Sequence, residues 1–498
     1  MALTPYRHLE HEFRRLHAFR TAASILRWDC AVSLPRGSAA LRGEQLAALE
    51  THCHTILTSP RVSRLLERAE ANAQGLDEWQ LANLREMRRE REHAFATPQN
   101  LVAQLARATV RAQVCWLEAR QKKDFSVLAP ALEEVVNLTR DKAALLGNAL
   151  GLNPYDALLD ELSPKLTSQE IDTLLMPIVR RLPGLIQEII DCQAVRQPLE
   201  LTEHIAPAKQ KELAVQLMKA MGFPFDRGRL DEAEYPLTSG APDDLRLTSH
   251  FVGGQLLSGV VSVLHGMGHA MYSLGLPEAW RDQPVGREAG VAVRESQSSL
   301  LAMMIGRSQA FLQYLQPHLE RIAGVSGPEW RVDNLYRALT RVRRSPVRAE
   351  ADEVSYIVHL VLRYELEREI LAGEIRITDL PEAWNARIDA RLGARPANDA
   401  EGCLQDVHWP LGLFGYFPSC AIGAVMAAQL YETLRSEYPE LDREIAAGHF
   451  SGLSVWLREN IHGHGARLSM AELIENATDK PLTSAAWLRY VEGKYLGE

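Results

Sequence analysis

The sequence predicts a mainly helical protein with one short stretch of strand. Three observations carry that reading. Apolar residues recur every three or four positions over most of the 498 residues, the period that gives a helix one buried face. Clear alternation occurs once, where Leu245, Leu247 and Ser249 interleave with Arg246, Thr248 and His250. The composition, 46% hydrophobic and 24% charged, is that of a globular chain large enough for a substantial core and two lobes.

The elements follow in order. Leu9, Phe13, Leu16, Phe19, Ala22, Ile25 and Leu26 predict a helix over 5–27, followed by Trp28-Asp29 and a break at Leu34-Pro35-Arg36-Gly37. Residues 38–58 read as the next helix, and Ser59-Pro60 as a cap and first position of a third. Charged helices continue to about Leu150, and Asn153-Pro154-Tyr155 marks a loop. Thr167–Ala194 reads as a pair of helices, and 202–221 as another ended by Gly222-Phe223-Pro224. The single strand then leads into an apolar helix carrying Leu256, Leu257, Val260, Val261, Leu264 and Met267. Residues 277–284 loop, helix resumes near Arg287, and the pattern stays helical to the end, interrupted at 373–380 and 393–415. There are no internal repeats, so we expect one domain over 1–498, with about 1–150 as N-terminal helices and about 151–498 as the body.

Bulk properties exclude several roles. A net charge of -9 argues against nucleic acid, which demands a concentrated basic surface. The arginine clusters at 85–91 and 341–344 alternate with acidic or apolar residues, as solvated helix faces do. Six scattered cysteines with no CxxC spacing, and no export signal at the N-terminus, fit a reduced, cytoplasmic setting. No apolar run approaches the ~18 residues that cross a bilayer.

The chemistry concentrates in 261–298. His265 and His269 stand four apart in the apolar helix, so both imidazoles can point at one spot. Metalloproteases hold zinc with this spacing and place a general-base Glu directly after the first His; here that place is Gly266. Glu295, 26 residues after His269 in a second helical segment, is the candidate third ligand, leaving a fourth position open.

The stretch HGMGHAMYSLGLP, followed by RESQSS, is similar to the carboxypeptidase Taq family of zinc metallocarboxypeptidases, which reads HExGHALYExGLP and then HESQS. The resemblance extends in order from about residue 25 to 420. Trp28-Asp29 with LPRGS resembles its WD and MPxG region, Asp244–Thr248 its DVRIT strand, Arg348–Glu353 its RxEADE segment, and LQDVHWPLGLFGYFPS its LQDVHWxxGxFGYFPT. The resemblance implies a two-lobed helical shell around a deep groove, with zinc on the floor, N-terminal lid helices and a small edge sheet beside the metal helix. It implies a homodimer that removes single residues from peptide C-termini. It implies His265, His269 and Glu295 as zinc ligands, Arg348 as receptor for the terminal carboxylate, and His408 and Tyr416 as donors to the developing oxyanion. Asp406 is expected to orient His408, and the alternative for Arg348 is a structural ion pair with Glu350 or Asp352.

Four departures fall beside this site. Gly266 replaces the Glu, Arg294 replaces the His of HES, Tyr235-Pro236-Leu237 replaces HPF, and Cys420 replaces the second Tyr of GYFPxY. Gly266 and Gly268 are expected to loosen the helix and leave space above the metal. Arg294, about 100° around its helix from Glu295, is expected to face outward. Glu288 or another groove acid could substitute as base through water, although nothing in the sequence places one there. The sequence therefore supports a peptide C-terminus-binding metallocarboxypeptidase with much reduced activity, or a non-catalytic peptide-binding scaffold on the same groove.

Overall fold

The computed structural model describes residues 4–202 and 204–497. Four helices open the chain: α1 (Pro5–Val32), α2 (Ala39–Thr58), α3 (Pro60–Ala71) and α4 (Glu78–Ala96). Leu9, Phe13 and Leu16 of α1 meet Ile56, Leu66 and Met87 in a small core of their own. The next pair, α5 (Gln99–Lys122) and α6 (Ala129–Leu150), instead bury Trp116, Leu132 and Leu146 in a much larger core. These two cores make two lobes, and a third, minor cluster of Ala23, Leu46 and Val110 joins α1 and α2 to α5.

The larger lobe continues through α7 (Pro154–Leu162), α8 (Ser168–Ala194) and α9 (Pro207–Ala220). A three-stranded sheet follows: β1 (Gly228–Glu232), β2 (Leu237–Ala241) and β3 (Asp244–Ser249), in the order β1-β3-β2. β3 pairs parallel with β1 and antiparallel with β2. The chain then runs through α10 (Leu256–Gly275), α11 (Val291–Ser299), α12 (Gln309–His318), α13 (Val332–Leu339), α14 (Ser355–Ala372), α15 (Leu380–Leu392) and α16 (Tyr416–Glu437). Short helices α17 (Leu441–Ala446), α18 (Ser451–Asn460), α19 (Met470–Thr478) and α20 (Ser484–Tyr495) complete it. α16 runs through the centre, and Ala421, Ile422, Val425, Met426 and Leu430 are fully buried along it. No helix of the described residues is long and apolar enough to cross a membrane, and all six cysteines are free.

The predicted starts of α1, α2 and α3 hold, and Ser59 caps α3 by accepting from the Val62 amide at 3.2 Å. Other elements differ. Asn153 opens a helix: its side chain accepts from the Asp156 amide at 2.9 Å, with Pro154 in the first helical position. Residues 168–194 form one helix, not two, although Pro177 and Pro183 lie inside it. Both prolines sit on its exposed face, where water can serve the carbonyls they leave unbonded. β1 and β2 carry too little alternation to be read from sequence, because each is an edge strand.

Between the lobes lies a groove of about 1220 Å³. Its lining includes His17 and Ser24 of α1, Glu90 of α4, Thr238 of β2, Glu288, and Arg294 of α11. α1 also reaches the sheet: the Trp28 ring lies under the guanidinium of Arg246 at 4.5 Å and of Arg229 at 5.3 Å.

Candidate metal centre

α10 and α11 build the centre. α10 buries Val260, Val263, Leu264 and Met267, which leaves His265 and His269 aimed together toward α11. Their rings lie 4.9 Å apart and nearly perpendicular. Glu295 of α11 meets both: His269 Nε2 is 3.4 Å from its Oε1, and His265 Nε2 is 3.7 Å from its Oε2. One donor atom from each of the three lies within 4.8 Å of the others. Tetrahedral bonds of about 2.0–2.1 Å set donors roughly 3.3 Å apart, so the set fits one divalent ion.

The surroundings keep the donors in their binding forms. Burial pushes both imidazoles down, His269 well below its usual range, and neighbouring Arg294 adds to the shift of His269. Both rings are therefore neutral. The Ser298 hydroxyl lies 2.8 Å from the carbonyl of His265 and 2.8 Å from His269 Nδ1. It has one proton, which only the carbonyl must receive, so His269 Nδ1–H donates to it and Nε2 is left free for a metal. Tyr416 donates to Glu295 Oε1 at 2.5 Å. Burial and Glu295 push the Tyr416 hydroxyl and the Cys420 thiol well up, so both stay protonated beside that carboxylate.

Two glycines make the crossing possible. A Cβ on Gly268 would lie 2.5 Å from Ser298 Cα and 2.6 Å from the Gln297 carbonyl. A Cβ on Gly423 of α16 would lie 2.8 Å from Glu295 Cβ and 2.8 Å from the Ala292 carbonyl. α11 is thus held between two bare helix faces. The expectation that Gly268 loosens α10 is corrected: backbone, not space, lies against it.

Gly266 differs. A Cβ there would meet Leu247 Cδ2 at 3.1 Å and Thr238 Oγ1 at 3.4 Å, so its side faces the sheet and a buried leucine fills the approach. The expected open space above the metal is corrected accordingly. Arg294 does not face outward. Its Nη2 donates to the Thr238 carbonyl at 2.8 Å, its Nε is 3.4 Å from Glu288, and its side chain is 23% exposed. α11 is covered by α10 and α16, so the turn away from Glu295 leads to the groove wall. Glu288 is engaged by this contact and by the Ser273 hydroxyl at 3.0 Å. The outer edge of β2 is occupied too: Arg294 takes the Thr238 carbonyl, and the Gly240 amide donates to Ser24 Oγ at 3.2 Å. Tyr235 is held by Gln113 at 2.7 Å and lies edge-on to Trp116.

Arg348 precedes α14 and is bound to neither Glu350 nor Asp352. Its Nε and Nη2 donate to Asp406 Oδ1 at 2.9 and 2.7 Å. Asp406 Oδ2 accepts from Arg363 Nε at 2.6 Å. Arg363 is fully buried and stacks on Trp384 at 4.5 Å. Burial opposes the charge on Asp406, yet Arg348 and Arg363 hold its carboxyl far below the usual range. Asp406 therefore positions Arg348; the expectation that it orients His408 is corrected, because both its oxygens are engaged by arginines. The His408 ring packs on Tyr416 at 4.8 Å and Phe417 at 4.7 Å, and burial pushes it down to about 4. Its Nδ1 has no hydrogen-bond partner among the described residues. Sequence reasoning passed over Ser298, Arg363 and Glu367. Ser298 had a signal, one turn beyond Glu295 on the same face; the other two read as ordinary charges on a helix.

The family model for the carboxypeptidase Taq (M32) metallopeptidase matches residues 8–495. Thermostable carboxypeptidase 1 of Thermus thermophilus is 34% identical over 496 residues, covering 97% of each chain. Carboxypeptidase 1 of Bacillus subtilis is 30% identical, covering 97% of this chain and 96% of its own. Among solved structures, metallocarboxypeptidase 1 of Trypanosoma cruzi superposes with a TM-score of 0.91 at 34% identity, covering 99% of both chains. The M32 carboxypeptidase of Deinococcus radiodurans gives 0.88 at 31%, covering 99% of this chain and 98% of its own.

Proposed function

The chain belongs to the carboxypeptidase Taq (M32) metallopeptidase family, and on that premise we propose that it binds peptide C-termini at a metal centre and hydrolyses them slowly. The observation that carries this is the pairing of a complete three-donor cluster with an arginine pinned for carboxylate recognition. His265, His269 and Glu295 would hold the ion, which we take to be zinc. When bound, a divalent ion supplies a Lewis acid for the scissile carbonyl and lowers the pKa of water.

The protein's own residues do the rest. Asp406 holds one edge of the Arg348 guanidinium, and we assign the remaining Nη1 to the substrate's terminal carboxylate. We assign His408, neutral near pH 7, and Tyr416, protonated, to the negative charge that develops on the carbonyl oxygen. Gly266 offers no carboxylate for moving the proton from water to the leaving amine, and such a group contributes ~10²–10⁴-fold. α1–α4 are the lid in this reading. A homodimer belongs to it through the family resemblance, and a cytoplasmic setting through the six scattered cysteines.

A second reading is a peptide-binding protein without catalysis. Arg294 favours it, because a cation stands where the groove wall faces Gly266 and the β2 edge is already bonded. Elemental analysis of protein purified without chelator, joined to calorimetry with a peptide acid and its C-terminal amide, tests the shared core. We expect near-stoichiometric metal and at least tenfold weaker binding of the amide. Equal affinities would remove Arg348 from its role, and protein that stays metal-free in zinc would remove the centre.

A further inference from the structure

The loop between α15 and α16 carries Gln405, Asp406, His408, Trp409 and Gly415, and so touches every proposed substrate-facing group of the larger lobe. Its only ionisable anchor on α14 beyond the Arg363–Asp406 pair is Glu367, which is fully buried. Trp409 Nε1 donates to Glu367 Oε1 at 2.9 Å. The Gly415 amide and the Tyr155 hydroxyl donate to Oε2, each at 2.9 Å. Gly415 sits at φ 88° and caps α16, so this bond sets where Tyr416 begins its helix. Trp409 adjoins His408. One carboxylate thus ties both ends of 409–415 to α14 and α7.

We infer that Glu367 is a positioning residue, placing His408, Tyr416 and, through the same loop, the Asp406 that orients Arg348. This inference rests on the peptide-binding reading above.

Two arguments support it. Three donors and no acceptor face Glu367, so only the ionised carboxylate suits them; a protonated oxygen would have nothing to donate to but a reversed Tyr155 hydroxyl. Among the described residues no cation touches it. Arg363, one turn earlier on α14, acts only at a distance, and Cys420 on α16 is the other ionisable neighbour. Burial consequently pushes its carboxyl up to about 7 despite the three bonds. An ionised group held against burial lowers the stability of the fold at neutral pH. A purely structural role would be filled better by an apolar side chain, whereas a loop that must be fixed to a donor pattern needs the anion.

The test uses Glu367→Leu and Glu367→Gln in the full chain, with zinc content checked. Peptide-acid affinity by calorimetry and melting temperature are read at pH 6 and 8. We expect Glu367→Leu to bind the peptide acid at least tenfold more weakly at pH 8 without a lower melting temperature, and Glu367→Gln to fall between. Unchanged affinity in Glu367→Leu overturns the inference, and so does a loss that tracks a falling melting temperature. Should Glu367→Leu not fold, Glu367→Gln decides: it must bind the peptide acid more weakly than the wild type at pH 8, and an unchanged affinity overturns the inference. Should the wild type bind no peptide, the functional reading fails by itself. Histidine NMR then decides the positioning claim, which requires the His408 resonance to move in Glu367→Gln and fails if it stays.

Discussion

Two walls of the metal centre have been treated differently. On the side of α11 and α16 three side chains have their support: Ser298 under His269, Tyr416 on Glu295, Asp406 and Arg363 behind Arg348. On the sheet-facing wall the supports are replaced: Gly266 has no side chain, Arg294 bonds the β2 edge, and Leu247 fills the approach. In the proposed function the first wall binds and orients, and the second is where a proton carrier would stand. That reading makes binding and proton transfer separable, with substitutions gathered on one wall while packing holds the other.

The sharpest way to break this comparison is to remove the binding wall. His269→Ala should take metal from near one per chain to near none after dialysis, measured by elemental analysis. Retained metal would mean that the three-donor cluster is not the site. The next largest effect lies on the other wall. Gly266→Glu should raise hydrolysis of blocked dipeptides, read as initial rates, but Arg294 would pair with the new carboxylate and depress its basicity. Gly266→Glu with Arg294→His should therefore rise further, toward the ~10²–10⁴-fold that a positioned base contributes. A double variant as silent as the parent, with metal bound, would show the binding wall to be impaired as well.

A smaller effect tests the support beneath the ligands. Ser298→Ala removes the partner that fixes the His269 tautomer and should weaken metal affinity about 10–100-fold in a chelator competition. Smallest is the effect of pH on stability through Glu367. Its carboxyl is raised in the fold to about 7 from an ordinary 4.5. The folded state therefore holds a proton that the unfolded state has released between those values. Stability from this group is present at the lower pH and is lost as pH rises through about 7. Glu367→Gln should raise the melting temperature by a few degrees at pH 8 and leave it nearly unchanged at pH 5. Equal shifts at both would place the carboxyl near its ordinary value.

Much of the helical frame was readable, because apolar spacing and caps such as Ser59-Pro60 are local signals. β3 was readable for the same reason, while β1 and β2 were not, since edge strands need no alternation. α8 was read as two helices but forms one, with Pro177 and Pro183 on its exposed face. Within the site, helical spacing together with the family resemblance brought out His265, His269 and Glu295, and the structure brings them together. What escaped was direction. Nothing in RES says that Arg294 turns into the groove, because neighbours three-dimensionally close to α11 decide it. Nor does a lone Glu in 355–372 announce that three donors converge on it.

The glycines of α10 have a consequence for how this protein can change. At position 266 a side chain meets side-chain atoms alone, Leu247 Cδ2 at 3.1 Å and Thr238 Oγ1 at 3.4 Å, so it can be admitted if those two side chains shift. At position 268 any side chain meets backbone, and none is accessible without separating α10 from α11. Two residues apart, one position is an open door in sequence space and the other a locked one. Position 266 can therefore be revised by substitution, while the crossing that gathers the three donors can only be kept whole or lost whole.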